Sequence, residues 1–349
     1  MSRPASSPAF AFGTCLARGT ATLLSGQLVT GEVATYRTSA IGKVYTPSPF
    51  MSALVHDALA CLDPGSAQTQ ETALWALPVE KRRAVAWSAG VVRARIRRFL
   101  KWQEEADGTW CFYGRGSTLG PDAATTACAA LAVARHTPQP IDRGSARWRT
   151  HRRALARFRD SAGPHFTFVA PGGAGYGWIA ADGRKVVGFD RIVNAHVMRF
   201  LAAAGEEDDA LRSYLRTEVE RGDRECGSPE HPDPACFAHA VARAWAETPR
   251  SDAPAIASAL IPWLLARQDE DGGFGGPLST ALATLSLVDL GYAGNALDRS
   301  ARYLMATVSE AGEWDYQPYL AGGHGSPAFT TAFALAALAG CAAARGDLG

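Results

Sequence analysis

A short pattern recurs along this chain, and a recurring unit of this length leaves few architectures open. The segment Phe99-Leu100-Lys101-Trp102-Gln103-Glu104-Glu105-Ala106-Asp107-Gly108-Thr109-Trp110 aligns almost without gaps on Leu264-Leu265-Ala266-Arg267-Gln268-Asp269-Glu270-Asp271-Gly272-Gly273-Phe274. Each is followed by a glycine-containing loop and then by an Ala/Leu/Thr helix, starting at Asp122 in the first copy and at Ser279-Thr280 in the second. A third copy runs from the helix at Ala301 through Gly312-Glu313-Trp314-Asp315-Tyr316 to a helix start at Ser326-Pro327. Weaker copies lead to helix starts at Ser48-Pro49, Asp190 and Asp233-Pro234, which makes six units of two helices.

The two helices of a unit differ in kind. The first is amphipathic, as in Val91 to Leu100, and has a face for solvent. The second is small and apolar all round, as in Thr280 to Leu290 or Thr330 to Ala339, and must be buried on every side. Six charged outer helices around six apolar inner ones describe an all-α fold, an (α/α)6 toroid, spanning residues 1–349 as a single domain. Ring closure would also bury the ends that an open solenoid must cap. Almost no strand is expected.

Composition narrows the function. Lys+Arg 35 against Asp+Glu 34 leaves a net charge of +1, so there is no basic field to hold nucleic acid. Seven cysteines, an odd number with no CxxC pair, suggest neither a disulfide framework nor a zinc ribbon. A reducing cytoplasm is the expected compartment, with no signal peptide and no spanning segment.

The Gln-x-x-Asp-Gly-Gly-Phe-Gly style of repeat, followed by Thr-Ala at the next helix start, resembles that of squalene-hopene cyclase and other class II terpene cyclases, and of the protein prenyltransferase β-subunit. The resemblance covers about Gly31 to Gly340. It implies that Gln103, Asp107, Trp110, Gln268, Asp271, Phe274 and Trp314 tie outer helices together. Class II cyclases protonate an alkene or epoxide with the middle aspartate of Asp-x-Asp-Asp-Thr-Ala; here the matching stretch is Asp122-Ala123-Ala124-Thr125-Thr126-Ala127. The acid's own position is Ala124, so a proton must come from elsewhere. The zinc of the prenyltransferases has no Asp-x-Cys pair to hold it at Gly276 to Thr280. Its nearest imitation is His231, Asp233, Cys236 and His239.

Side chains at inner-helix starts face the mouth of such a ring, which nominates Asp122, Asp190 and Asp233. The positive helix end is expected to keep them ionised. As anions they would stabilise a carbocation or hold Mg²⁺ carrying a diphosphate, and would make poor acids. Asp315, between Trp314 and Tyr316, is the candidate acid, because aromatic neighbours would raise its pKa. Phe50, Tyr113, Phe166, Tyr176, Trp178, Tyr316 and Phe329 are expected to line the site as cation–π partners. Asn194 shares a face with Asp190, and Arg191 would meet a diphosphate. Together these suggest a cyclase acting on an isoprenoid diphosphate through a carbocation. The alternatives are a zinc-dependent prenyltransferase-like enzyme and a non-catalytic toroid that binds an isoprenoid or a protein partner.

Overall fold

The computed structural model describes residues 8–62, 77–135, 141–170, 173–179, 183–203, 205–222, 227–248 and 252–344. Among them are twelve α-helices: α1 (Pro8–Gly26), α2 (Pro49–Ala58), α3 (Val79–Gln103), α4 (Ala123–Ala134), α5 (Ala146–Ala156), α6 (Arg191–Ala203), α7 (Asp209–Glu220), α8 (Pro234–Glu247), α9 (Ala253–Leu265), α10 (Pro277–Asp289), α11 (Asn295–Thr307) and α12 (Pro327–Ala344). The even-numbered helices pack side by side in chain order, and α12 returns to α2 and to the 3₁₀ turn that follows it (Leu59–Leu62). That contact closes the ring, with the odd-numbered helices outside it. The all-α toroid is the fold observed.

Sequence decides which helix goes where. Every residue of α4 from Ala123 to Val133 is buried, and small Ala, Ser and Thr side chains let helices of such a ring approach closely. Their hydroxyls return to the helix's own carbonyls, as Ser286 does to Leu282 (2.7 Å). The outer α11 buries only Ala296, Leu297, Ser300, Ala301 and Leu304, on one face. Among the described residues α12 is the one helix long and apolar enough to cross a membrane, but its buried residues belong to the inner ring.

The repeat is a turn with one geometry. Among the described residues, five of the units have an N–H that donates to a carbonyl four residues on: Leu28 to Glu32 (3.1 Å), Glu105 to Thr109 (2.9 Å), Asp160 to Pro164 (2.8 Å), Asp269 to Gly273 (2.9 Å) and Ser309 to Glu313 (2.9 Å). In each, the residue before that carbonyl is a glycine at positive φ: Gly31, Gly108, Gly163, Gly272 and Gly312. A Cβ there would meet the next outer helix, at 2.3 Å from the Arg95 carbonyl for Gly31 and 2.5 Å from the Arg299 carbonyl for Gly272. Side chains seal the joint. Gln268 Nε2 donates to Gly272 (3.1 Å) and to Ala296 of the next outer helix (2.9 Å). Gln27 does the same toward Gly31 (2.7 Å) and Val92 (3.1 Å), a repeat glutamine the sequence comparison missed.

The turn also corrects the alignment. Counted from the turn, the partner of Gln268 is Glu104, which bonds His151 (2.9 Å) and Arg147 on the next outer helix. Gln103 instead accepts from Arg115 N–H (2.6 Å). The indoles act as expected: Trp110 Nε1 donates to Leu100 (2.8 Å) and Trp314 Nε1 to Leu304 (2.8 Å).

Gly272→Ala and Gly275→Ala separate backbone strain from steric contact. Both glycines have positive φ, but nothing lies within 4 Å of a Cβ on Gly275. Thermal unfolding followed by circular dichroism is expected to show a loss of about 1 to 2 kcal/mol for Gly275→Ala and a distinctly larger one for Gly272→Ala.

Candidate functional site

The starts of the inner helices share one end of the ring. Asp122 caps α4, with Oδ1 accepting from Thr125 N–H (2.7 Å). Its backbone is tied to its own turn by Asp122 N–H to Trp110 (3.2 Å), and to the next unit by Ala123 N–H to Thr167 (2.9 Å). Its other oxygen, Oδ2, is buried without a hydrogen-bond partner. This carboxyl and Ala124 both line a cavity of about 380 Å³, together with Phe50, Phe112, Tyr113, Phe168, Leu320, Glu230, His231 and His324. Phe112 stands edge-on to Tyr113 (4.8 Å) and to His324 (5.6 Å), and His324 Nδ1 is held by the Ala321 carbonyl (3.0 Å).

The protonation state of Asp122 reverses the expectation. Burial outweighs the Thr125 bonds at the helix end and pushes its carboxyl up to about 7, with the nearby Glu230 adding to the rise. Glu230 is itself raised by burial and by Asp190. Both histidines on the wall are lowered by burial, His231 to about 4. A carboxyl group raised toward neutrality, with one oxygen unengaged, therefore belongs to the wall of an aromatic cavity.

The other nominated residues divide. Phe50 and Tyr113 are on the wall. Asp190 caps α6 through Ile192 N–H (2.8 Å) and Val193 N–H (3.2 Å); it is buried and does not line the cavity. Asp233 bonds Ala235 N–H (2.8 Å) and the Ser279 hydroxyl and borders an outer groove by Trp263 and Arg267. The three aspartates thus do not ring one mouth. Asp315 is exposed, because the turn that buries Trp314 directs the following residue outward, so the expected desolvation is absent.

Asn194 is a clamp, donating to the His165 and Asp190 carbonyls (2.9 Å each) and accepting from His165 N–H (2.7 Å). Arg191 is buried, with Nε on the Gly227 carbonyl (2.5 Å) and its guanidinium over Phe237. Phe166 packs on Phe189 (4.8 Å), Tyr176 on Phe168 (5.1 Å), and Trp178 sits against Gly188. Tyr316 bonds Thr38 (3.2 Å) and Gly323. Phe329 lies deeper, against Tyr319 (5.0 Å) and Phe333 (4.8 Å). The sequence comparison missed Phe112, Phe168, Glu230 and His324 as wall residues; the loop position and aromaticity of Phe112, next to Tyr113, were the available signal.

The zinc imitation does not assemble. Asp233 is taken up by Ser279, Cys236 Sγ points to the Tyr319 carbonyl (3.8 Å), and His239 meets Phe333 edge-on (5.5 Å). Among the described residues no group of three or more His, Cys, Asp or Glu could hold a metal.

Solved structures share the architecture. The type II terpene cyclase MstE from Scytonema, in a variant complexed with merosterolic acid A, superposes with a TM-score of 0.66 at 18% identity, over 96% of this chain and 98% of that one. The fold is that of a type II terpene cyclase. The ent-copalyl diphosphate synthase of Streptomyces platensis matches with a TM-score of 0.59 at 20% identity, over 86% of this chain and 52% of that one. An unsaturated glucuronyl hydrolase specific for heparin also matches, with a TM-score of 0.58 at 11% identity over 96% of both chains. The toroid therefore does not fix the chemistry by itself. No family model matches the chain, and no curated protein is similar to it in sequence.

The raised carboxyl has a consequence for stability. Because Asp122 moves from 3.8 up to about 7 on folding, the folded chain holds more protons than the unfolded one between those values, and stability falls as pH rises through that window. At about 1.4 kcal/mol per unit the loss reaches about 4 kcal/mol by pH 8. Asp122→Asn is expected to flatten this slope in urea unfolding measured from pH 4 to pH 8, leaving the variant as stable as the parent at pH 4 and more stable at pH 8.

Proposed function

We propose that this protein is a cyclase of the type II kind, which initiates a carbocation in an isoprenoid by protonating it from Asp122. The observation that carries this is the carboxyl itself: buried, pushed up to about 7 by its surroundings, with Oδ2 free of hydrogen bonds, on a residue that lines an aromatic cavity. It stands two residues before the place the family resemblance gives to the acid, at Ala124. Proton transfer breaks the Oδ2–H bond and forms a C–H bond on the substrate alkene. The carboxylate left behind keeps the Thr125 N–H and gains from the positive end of α4. Helix and burial thus divide the labour, burial keeping the acid protonated before the step and the helix end steadying its anion afterwards. The faces of Phe50, Phe112, Tyr113 and Phe168 would stabilise the cation as it migrates.

In this proposal the substrate is an isoprenoid diphosphate that keeps its head group. The anion would lie at the rim, where Arg37 pairs in register with His324 and is close enough to Tyr113 to oppose, by its charge, the rise that burial gives the phenol. Any Mg²⁺ would arrive with the diphosphate, since the residues present do not form a metal site, and no step is drawn through it. A non-catalytic isoprenoid-binding toroid is the second reading, favoured by the alanine at position 124.

Incubation with geranyl, farnesyl and geranylgeranyl diphosphate, with and without Mg²⁺, followed by mass spectrometry before and after phosphatase treatment, decides between them. A cyclic product released only by phosphatase is expected. Asp122→Asn should lower its rate by about 10³-fold, the scale of a lost general acid, whereas Asp315→Asn should leave it unchanged. A hydrocarbon formed before phosphatase and only with Mg²⁺ would replace protonation by diphosphate ionisation. Retention of the lipid without conversion would establish the binding toroid.

A further inference from the structure

One sector of the outer wall is unlike the rest. Helix α3 (Val79–Gln103) contains six arginines and two lysines against a single acid, Glu80, in a chain whose net charge is only +1. Its inward face is occupied by core packing, with Val85, Val92, Ile96 and Phe99 buried. Its outward face presents Arg83, Trp87, Ala94, Arg98, Lys101 and Trp102, all exposed. At 3.6 residues per turn these six fall in one stripe about 100° wide and about 30 Å long. Arg83, Arg98 and Lys101 form no ion pair among the described residues.

The two tryptophans are out of place in water. Trp87 and Trp102 are each 64% exposed, whereas Trp110, Trp245 and Trp314 are among the largest fully buried side chains. The turn before α2 adds a third apolar tip. Gln27 Nε2 donates to the Val92 carbonyl (3.1 Å) and Gly31 abuts the Arg95 carbonyl, which sets the fully exposed Val29 beside the middle of α3. At its other end α3 meets α5, which bears Arg147, Arg149, Arg152 and Arg153 and no acid; Glu104 joins the two by bonding His151 and Arg147. Arg149 and Arg153 remain exposed there, so the positive field runs past the end of the stripe.

We propose that this wall rests on an anionic lipid bilayer, with the indoles of Trp87 and Trp102 at headgroup depth and the cations of α3 against lipid phosphates. Indoles favour that depth because they have an apolar body and a polar N–H, and each cation near an anionic surface adds to the attraction. Shape selects the partner. A flat surface touches the outside of a ring along one ridge, and the stripe is such a ridge. About 30 Å by the 10 Å width of a helix is about 300 Å², well short of the roughly 800 Å² per side of a stable protein interface. Pairing with the same stripe of a second copy would also bring like charges together. A bilayer needs no such area, because a few inserted rings and several cations act together. None of these side chains lines the cavity of Asp122, so the surface is independent of the chemistry proposed there.

Sedimentation of the full chain with lipid vesicles tests the surface. Binding is expected on vesicles of phosphatidylcholine mixed with phosphatidylglycerol, to be about a hundredfold weaker on phosphatidylcholine alone, and to fall as salt is added. R83Q/R98Q/K101Q should lose about a hundredfold on the mixed vesicles, at about fivefold per cation. W87S/W102S, which keeps every charge, should lose about tenfold and retain the salt dependence. All five side chains are exposed, and circular dichroism shows which variants fold. No binding to the mixed vesicles, equal binding to both kinds, or binding unchanged in whichever variant folds would overturn the proposal. A dimer in sedimentation velocity that the variants dissolve, without vesicle binding, would overturn it in favour of a second copy of the chain.

Discussion

Five glycine turns hold the outer ring in register with the inner one. Each must let the backbone of one unit touch the next outer helix, and only a residue without a side chain can stand there: at Gly31 and Gly272 a Cβ would come within 2.3 and 2.5 Å of a neighbouring carbonyl oxygen. The turns fix where each outer helix ends relative to the following inner one, and so set the height of every inner-helix start. Asp122 owes its place to this. Its backbone is bonded to Trp110, the residue that follows the turn and drives its indole under the outer helix.

How much of this was legible in the sequence follows from the same turns. At Gly108, Gly272 and Gly312 a tryptophan or phenylalanine follows the glycine two positions later, a spacing that survives without any contact being known, so those three copies and the two kinds of helix could be read directly, whereas Gly31 and Gly163 are followed by Val33 and His165 and their copies are weak. Glu104 shows the limit, because one extra residue before the turn puts Gln103 in apparent alignment while the structure gives its role to the neighbour. The site was harder to read. Phe166 is a loop aromatic as expected, while Tyr176 and Trp178 fall on short paired strands, and all three are engaged with other rings or with backbone; no local pattern tells a ring that faces a ligand from one that faces another ring. Asp315 was nominated for its aromatic neighbours in sequence, yet adjacent residues of a turn point in different directions.

Asp122 is the instructive case. Its position as a helix cap was visible, and from that alone the helix end predicts an ionised carboxylate. Desolvation is a property of everything else that surrounds the group, including Phe112 and Phe168 from other segments, and it carries the opposite sign. The far end of the barrel treats its carboxylates differently. There Asp57 and Glu247 sit among inner-helix C-termini, which repel anions, and three arginines supply what the helices withhold, holding both carboxyls well below the usual range. Asp122 on the one hand and Asp57 and Glu247 on the other are thus shifted in opposite directions within one barrel, the first by solvent exclusion and the pair by counter-ions.

Closure of the ring by α12 on α2 has a temporal meaning. The first inner helix waits for the last, and the strand pairing of Tyr36 with Gly325 and of Arg37 with His324 spans the same seam. A chain emerging from the ribosome can stack its helix pairs one by one, but each partial arc exposes the apolar flank of its newest inner helix until the next arrives. Such long-range contacts are slow to form. The wall that His324 and Leu320 contribute is completed only at that final docking, so the cavity comes into being with the last helix and not with the arc that carries the acid.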